Sequence, residues 1–363
     1  MKISDLPADS LAVLRRGAVI PAHLLALDEN RKLDTRRQKA LARYYLDAGS
    51  GGLAVGVHST QFAIRETGLY EPVLKLAMET AMEWTPLAAE GQPSSSGKRP
   101  LFMIAGFAGK TAQAVKEAQT ARGLGYHAGL LSLAAMKGSS EDELIAHCET
   151  VAGVMPLVGF YLQPAVGGID LPASFWQRFA QIENVVAIKM APFNRYRTLN
   201  VIRGVVDARA EERVTLYTGN DDHIVLDLVT PFAVRRDHQD ITVRIKGGLL
   251  GHWSVWTRNA VQLLERVHRA IAEGRIDNEL LALDSKVTDC NSAFFDVAHD
   301  FHGCIAGCHE VLRRQGILEN ILCLDPHEGL SPGQAEEITR VHDAYPDLHD
   351  DAFVKANLER WLA

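Results

Sequence analysis

The stretch Val185-Val186-Ala187-Ile188-Lys189-Met190-Ala191 reads as a buried parallel strand carrying one charge. Apolar residues fill every other position, as in a strand covered on both faces, and a solitary ammonium is costly in such surroundings. Two readings of Lys189 follow. Either the strand ends there and the side chain snorkels to water, or the amine stays among apolar neighbours with a lowered pKa and a neutral fraction. A neutral amine attacks carbonyl carbon and forms a Schiff base.

Outward from this run, short apolar segments alternate with helical patterns at regular spacing, the sequence form of repeated βα units. Strand candidates fall at 18–27, 52–57, 101–107, 128–133, 157–162, 185–190, 214–218 and 243–250, each followed by a plausible helix. Eight such units predict an α/β fold, a (β/α)8 TIM barrel, although a doubly wound open sheet shares much of the pattern. The stretch 253–274 reads as the last barrel helix. The remaining chain is almost entirely helical pattern, which divides the protein into a barrel with the catalytic site (1–274) and a C-terminal helical subdomain (275–363). Pro332 suits a helix start there and Gly316 a helix end. The segment 85–100, with Gly91-Gln92-Pro93-Ser94-Ser95-Ser96-Gly97, predicts an exposed, mobile loop.

With 363 residues, 47% of them hydrophobic, the chain can bury a large core. A formal charge of -7 without a basic block argues against nucleic-acid or anionic-membrane partners. The N-terminus lacks a continuous apolar segment, since Arg15 and Arg16 interrupt the one candidate run, so a cytoplasmic protein without a membrane span is expected. Five cysteines, an odd number, point to reduced thiols. Cys304 and Cys308 share a helix face near His299, His302 and His309, but no second ligand pair completes a tetrahedral metal site. Packing is therefore the expected role of the cluster.

In a parallel barrel the reacting groups sit at the C-terminal ends of the strands, where Lys189 lies. By alternation Val185, Ala187 and Lys189 share one face, so two small apolar side chains would lie below the amine. The preceding strand, Gly159-Phe160-Tyr161-Leu162-Gln163-Pro164, is expected to bring Tyr161 to the same level as a phenol proton donor, unless that hydroxyl is tied to backbone.

Gly51-Gly52-Leu53-Ala54-Val55-Gly56, Phe160-Tyr161 with Pro164 and Gly168, Ala187-Ile188-Lys189, Gly219-Asn220-Asp221-Asp222 and Gly247-Gly248-Leu249-Leu250-Gly251 together resemble the dihydrodipicolinate synthase and N-acetylneuraminate lyase family of class I aldolases. The resemblance spans most of 18–271. It implies that Lys189 is the Schiff-base lysine and Tyr161 the phenol that assists carbinolamine breakdown. It further implies that Leu250 lines the pocket and that Gly219 lets backbone approach the bound acid. The implied activity is that of a lyase, an aldolase or dehydratase, acting on a 2-oxo acid such as pyruvate or on a sugar-acid derivative. The lysine imine would do this without a metal or other cofactor. A homodimer or homotetramer is implied as well.

Departures from the family pattern narrow this. Val57 stands where a hydroxyl would relay protons, Ala135 and Met136 where a neighbouring subunit's tyrosine would be presented, and Val166 where an arginine would bind a second carboxylate. These argue against dihydrodipicolinate synthase activity. His58 and Ser59 remain as candidate carboxylate donors, and His23 and His252 as candidate acid/base groups. Asp221 and Asp222 read as a helix N-cap, and Lys246, early in its strand, as a solvated residue. A non-catalytic small-molecule-binding or regulatory protein of the same fold is the competing expectation.

Overall fold

The computed structural model describes residues 1–89 and 94–363. Six parallel strands follow one another around a curled sheet: β1 (Ala54–Val55), β2 (Ile104–Phe107), β3 (Ala128–Leu131), β4 (Leu157–Tyr161), β5 (Val185–Met190) and β6 (Thr215–Thr218). A hairpin of β7 (Phe232–Arg236) and β8 (Gln239–Val243) then intervenes before the last barrel strand, β9 (Ile245–Gly248), which pairs in parallel with β6. The segment around 18–23 closes the ring. Val19 bridges to Gly248 and Ala22 to Ala54, and the Ile20 and His23 amides donate to the carbonyls of Gly248 and Ala54 at 3.0 and 2.8 Å. This eighth stave is a pair of bridges rather than the ten-residue strand expected, because Pro21 in its middle has no N–H to give. The eight-stave α/β barrel is otherwise as expected from the sequence.

Alternation sorts the strand residues into two cores. Ala54, Ile104, Leu130, Val158, Phe160, Ala187, Tyr217 and Leu249 fill the interior, while Val55, Leu131, Leu157, Tyr161, Ile188, Met190 and Leu216 pack outward against the helices. One irregularity shifts the pattern. Leu157 pairs with Val185 but Val158 pairs with Ala187, so Val186 is an extra residue in β5. As a result Val185 packs outward and Val186 inward, whereas strict alternation would put Val185 below Lys189.

After the barrel helix Thr257–Ala272, the helices Asn278–Phe294, Cys304–Arg314, Gln334–Ala344 and Asp351–Leu362 share the outer core. Asp277 caps the first of them through the Leu280 amide, and Gly316, at φ 80°, lets the chain turn after Arg314. Polar contacts bind this region to the barrel helix Thr35–Ala48: Tyr44 Oη donates to Asp350 at 2.7 Å, Trp361 Nε1 to Asp47 at 2.6 Å, and Arg37 to the Gly316 carbonyl at 2.7 Å. In the predicted loop, 90–93 lie outside the described residues, and Leu87 bridges antiparallel to Lys98. Among the described residues no helix is long and apolar enough to cross a membrane.

Candidate active site

Lys189 is the fifth of six residues in β5, so its side chain leaves the sheet near the C-terminal mouth of the barrel, and only 8% of it is exposed. It enters a cavity of about 80 Å3 together with Ala22, Leu24 and Val57 from one side and Phe160, Leu162 and Ala191 from the other. Gly219 lies against the lysine stem: a Cβ there would come within 2.6 Å of Lys189 Cε and 2.9 Å of the Ala191 Cβ. Nζ stands 4.6 Å from the centroid of the Phe160 ring. Lys189 forms no direct ion pair among the described residues. Burial pushes its pKa down to about 8, opposed in part by the charge of Asp221.

Asp221 is the carboxyl group that lines this cavity. It follows β6 by three residues, is 7% exposed, and holds its Oδ1 against the His252 amide at 3.0 Å. Burial raises its pKa to about 7, offset by the amides of His252 and Gly251 and by Lys189. The N-cap expectation for this pair is thus corrected. The helix Ile224–Val229 has His223 as its N-cap, and Asp221 instead braces the turn His252–Ser254 of the neighbouring loop. Asn220 ties the β6 loop to the loop after β5 and to the helix Ile224–Val229: its Oδ1 accepts from the Phe193 amide at 3.0 Å and its Nδ2 donates to buried Asp227 at 3.0 Å.

His58 and Ser59 line the cavity as expected, half-buried in the turn His58–Thr60 after β1. Desolvation, with the Lys189 charge second, pushes the His58 imidazole down to about 4, so at neutral pH it offers one N–H and one lone pair. Four other expectations are corrected. Tyr161 faces the helices: it pairs with Met190 while Phe160 pairs with Lys189. Its hydroxyl donates to Asp170 at 2.8 Å and accepts from the Leu171 amide at 3.2 Å, its ring packs on Trp176, and burial pushes its pKa up to about 12. Leu250 packs in the outer core, leaving Gly251 to line the cavity. His23 is turned outward and holds Leu24 and Gln38. The His252 ring stacks on Phe294, 5.8 Å away, in a separate pocket, so its amide rather than its imidazole meets the site.

The sequence reading missed the roof. Phe295, Phe301, Cys304, Ile305 and Cys308 from the C-terminal helices close the cavity opposite Lys189, with Phe193 beside Phe301. Their only sequence signal was the Cys304/Cys308 spacing, and those thiols face the cavity, their pKa values raised by burial. All five cysteines are free. His309 contacts the Ile321 carbonyl and His299 contacts Asp296, so the His/Cys cluster does not converge on one point. Among the described residues, ligand atoms suited to a metal come together at His342, His349 and Asp351, outside the cavity.

The arrangement is thus a buried amine and a buried carboxyl in a largely apolar chamber whose lining includes His58 and Ser59. The family model of the dihydrodipicolinate synthetase family matches residues 15–230. A 4-hydroxy-tetrahydrodipicolinate synthase of Kosmotoga olearia is 27% identical over 181 residues, a match that spans 50% of this chain and 56% of that enzyme's length. Two solved structures share the fold. One is a dihydrodipicolinate synthase from Acinetobacter baumannii complexed with pyruvate, with TM-score 0.70 and 16% identity over 90% of this chain and 98% of that one. The other is the N-acetylneuraminate lyase from Fusobacterium nucleatum, with TM-score 0.69 and 15% identity over 92% and 99%. The family match covers more than half of the sequence and contains the turn after β1 with His58 and the strands that carry Phe160 and Lys189, and on this ground the chain belongs to the dihydrodipicolinate synthetase family.

Proposed function

We propose that the protein is a Schiff-base-forming lyase of the aldolase or dehydratase type, in which Lys189 attacks the keto carbon of a 2-oxo acid. The observation that carries this reading is the amine itself, 8% exposed in a cavity, without a direct ion pair among the described residues and with its pKa lowered by burial. An ammonium kept there without use would cost stability for no return. In this reading residues 1–274 supply the nucleophile and 275–363 the roof of the chamber. Pyruvate in the Acinetobacter enzyme supports a 2-oxo acid as the first ligand. In this reading neutral His58 and the Ser59 hydroxyl, both on the cavity wall, donate to its carboxylate. No metal or cofactor enters the scheme, since the protonated imine is the electron sink. The free cysteines suit a reducing compartment such as the cytoplasm, and family resemblance suggests a homodimer or homotetramer.

The lining also speaks to what leaves or joins. Phe160, Phe193, Phe295, Phe301, Val57 and Val166 offer no partners for a row of hydroxyl groups, whose burial unpaired is costly. A 2-oxo acid with an apolar continuation fits better than a polyhydroxylated sugar acid. Without a cavity arginine a second carboxylate would be unpaired, which argues against dihydrodipicolinate synthase activity. Borohydride reduction in the presence of pyruvate, or of 2-oxo acids with aliphatic and aryl extensions, should fix a mass adduct on Lys189. A panel that leaves Lys189 unmodified removes the proposal.

Phe160 and Val57 favour one second reading, a binding protein that keeps the chamber without turnover, because neither side chain can carry a proton. Ligand-induced thermal stabilisation with no ligand consumed would mark it. Turnover that Lys189→Arg abolishes would exclude it.

A further inference from the structure

Schiff-base chemistry at Lys189 needs a second group. Something must protonate the carbinolamine hydroxyl as it leaves, and something must take the proton from C3, and the lysine nitrogen is committed to the imine throughout. The side chain level with Lys189 on β4 is Phe160, which has no proton to give, and Tyr161 is held on the far face by Asp170 and Leu171. The polar groups lining the cavity besides Lys189 are His58, Ser59, Gln163, Asp221 and the thiols of Cys304 and Cys308.

We propose that Asp221 is the proton-transfer residue of this site, a carboxyl on the β6 loop that does the work of the absent phenol. The inference rests on the Schiff-base reading above. Geometry supports it in three ways. Asp221 is two residues beyond Gly219, the point where this loop presses on the Lys189 stem. It lines the same cavity. Its carboxyl is oriented by the His252 amide, a rigid backbone donor that leaves acceptor positions open. Burial also brings its titration near neutrality, where a carboxyl can both hold and release a proton. The groups that face it are Lys189 on β5, the adjacent Asp222, the backbone of Gly251 and His252 after β9, and the Cys308 thiol from the roof.

Neutral Lys189 Nζ forms a bond to C2 of the 2-oxo acid, the carbonyl π pair moves to oxygen, and a proton passing from nitrogen to oxygen gives the carbinolamine. Asp221, in its acid form, protonates the hydroxyl, which leaves as water while the nitrogen lone pair forms the iminium. The Asp221 carboxylate then takes a proton from C3, the C–H pair becomes the C2–C3 π bond, and the C2–N π pair returns to nitrogen, giving the enamine and neutral Asp221. The enamine carries no oxidant requirement and reacts onward by protonation or by attack on an aldehyde.

The test uses pyruvate in D2O, reading two quantities on the same samples: the borohydride-fixed adduct on Lys189 by mass, and exchange of the C3 protons by NMR. Wild type should show both. Asp221→Asn should fix the adduct more slowly but still fully on long incubation, and should lose C3 exchange per adduct by about 100-fold or more. Exchange within about threefold of wild type, with the adduct present, overturns the role of Asp221 and leaves the Schiff base standing. An absent adduct in wild type overturns the Schiff-base reading itself. The pH profile of wild-type exchange decides the matter even if Asp221→Asn does not fold. The rate per adduct should rise with pH as the carboxyl near neutrality ionises, and a flat profile between about pH 5 and about pH 8 overturns the proposal.

Discussion

Two lysines stand on parallel strands at opposite mouths of the barrel. Lys189 is near the end of β5, 8% exposed, in a chamber roofed by aromatic residues. Lys246 is the second residue of β9, exposed, beside a groove lined by Arg15, Glu211, Glu212 and Arg244. A lysine on a strand is therefore not informative by itself. What separates the two is the end of the strand they occupy and what covers that end, because the C-terminal helices close one mouth and leave the other to water.

Substitution at each lysine breaks the comparison most directly. Lys189→Arg and Lys189→Ala should lose the borohydride-fixed adduct and at least about 10³-fold of any turnover, because an always-protonated guanidinium or a methyl group cannot form the imine. Lys246→Ala should change neither by more than about twofold. Equal effects at the two positions would remove the distinction.

The pH dependence of imine formation comes next in size. A pKa of about 8 leaves about a tenth of Lys189 neutral at pH 7, whereas an amine at its ordinary value would be neutral in well under about 0.1% of molecules. The rate of adduct fixation with pyruvate should thus climb tenfold per pH unit below about pH 7, flatten between about pH 7 and about pH 8, and fall above that as Asp221, the acid for the leaving hydroxyl, ionises. A rate still climbing at about pH 10 would mean that burial does not lower the pKa of this amine.

Gly219→Ala probes the chamber wall. The added Cβ meets Lys189 Cε at 2.6 Å and the Ala191 Cβ at 2.9 Å, so the flexible lysine stem must move. We expect adduct fixation to slow by about 10- to 100-fold, the effect of misplacing a nucleophile by a fraction of an ångström, with the fold intact by circular dichroism. Unchanged kinetics would show that the lysine needs no support from the β6 loop.

The barrel and Lys189 were legible in the sequence because both depend on local signals, namely apolar runs at regular spacing and one charge inside such a run. His58, Ser59 and Gly219 came from the family resemblance rather than from any local pattern, and all three line the cavity. The failures share a physical cause. A strand's side chains change face at each residue, so a one-residue difference in level exchanges Phe160 for Tyr161 and Leu250 for its neighbours. The extra residue Val186 in β5 cannot be read from an unbroken apolar run either. The hairpin β7–β8 was hidden because its turn uses Asp237 and His238, both at positive φ, without the glycine that usually marks such turns. Asp221 and the roof of Phe295, Phe301, Cys304 and Cys308 were not legible as site residues, since contacts between the β6 loop, the β9 loop and the C-terminal helices exist only in the folded chain.

Stability offers the smallest and most diagnostic contrast. Lowering the Lys189 pKa from 10.5 to about 8 means the folded state disfavours the ammonium, and about 1.4 kcal/mol per unit gives a penalty of about 3 kcal/mol wherever the unfolded chain is protonated and the folded one must be too. The folded protein binds fewer protons than the unfolded chain between about pH 8 and about pH 10.5, so its stability rises with pH across that window as the penalty fades. Lys189→Met, which keeps the apolar volume, should therefore raise stability at pH 7 by about 1–3 kcal/mol. The lower end allows for Asp221, which loses a favourable charge and takes up a proton instead. The gain should disappear above about pH 10.5. Lys246→Met, at an exposed position, should stay within about 0.5 kcal/mol of wild type at every pH. Denaturant unfolding of the three proteins at two pH values measures all of this. A Lys189→Met variant that is no more stable than wild type at pH 7 would mean that burial does not strain this amine, and the physical reason for treating it as a nucleophile would be gone.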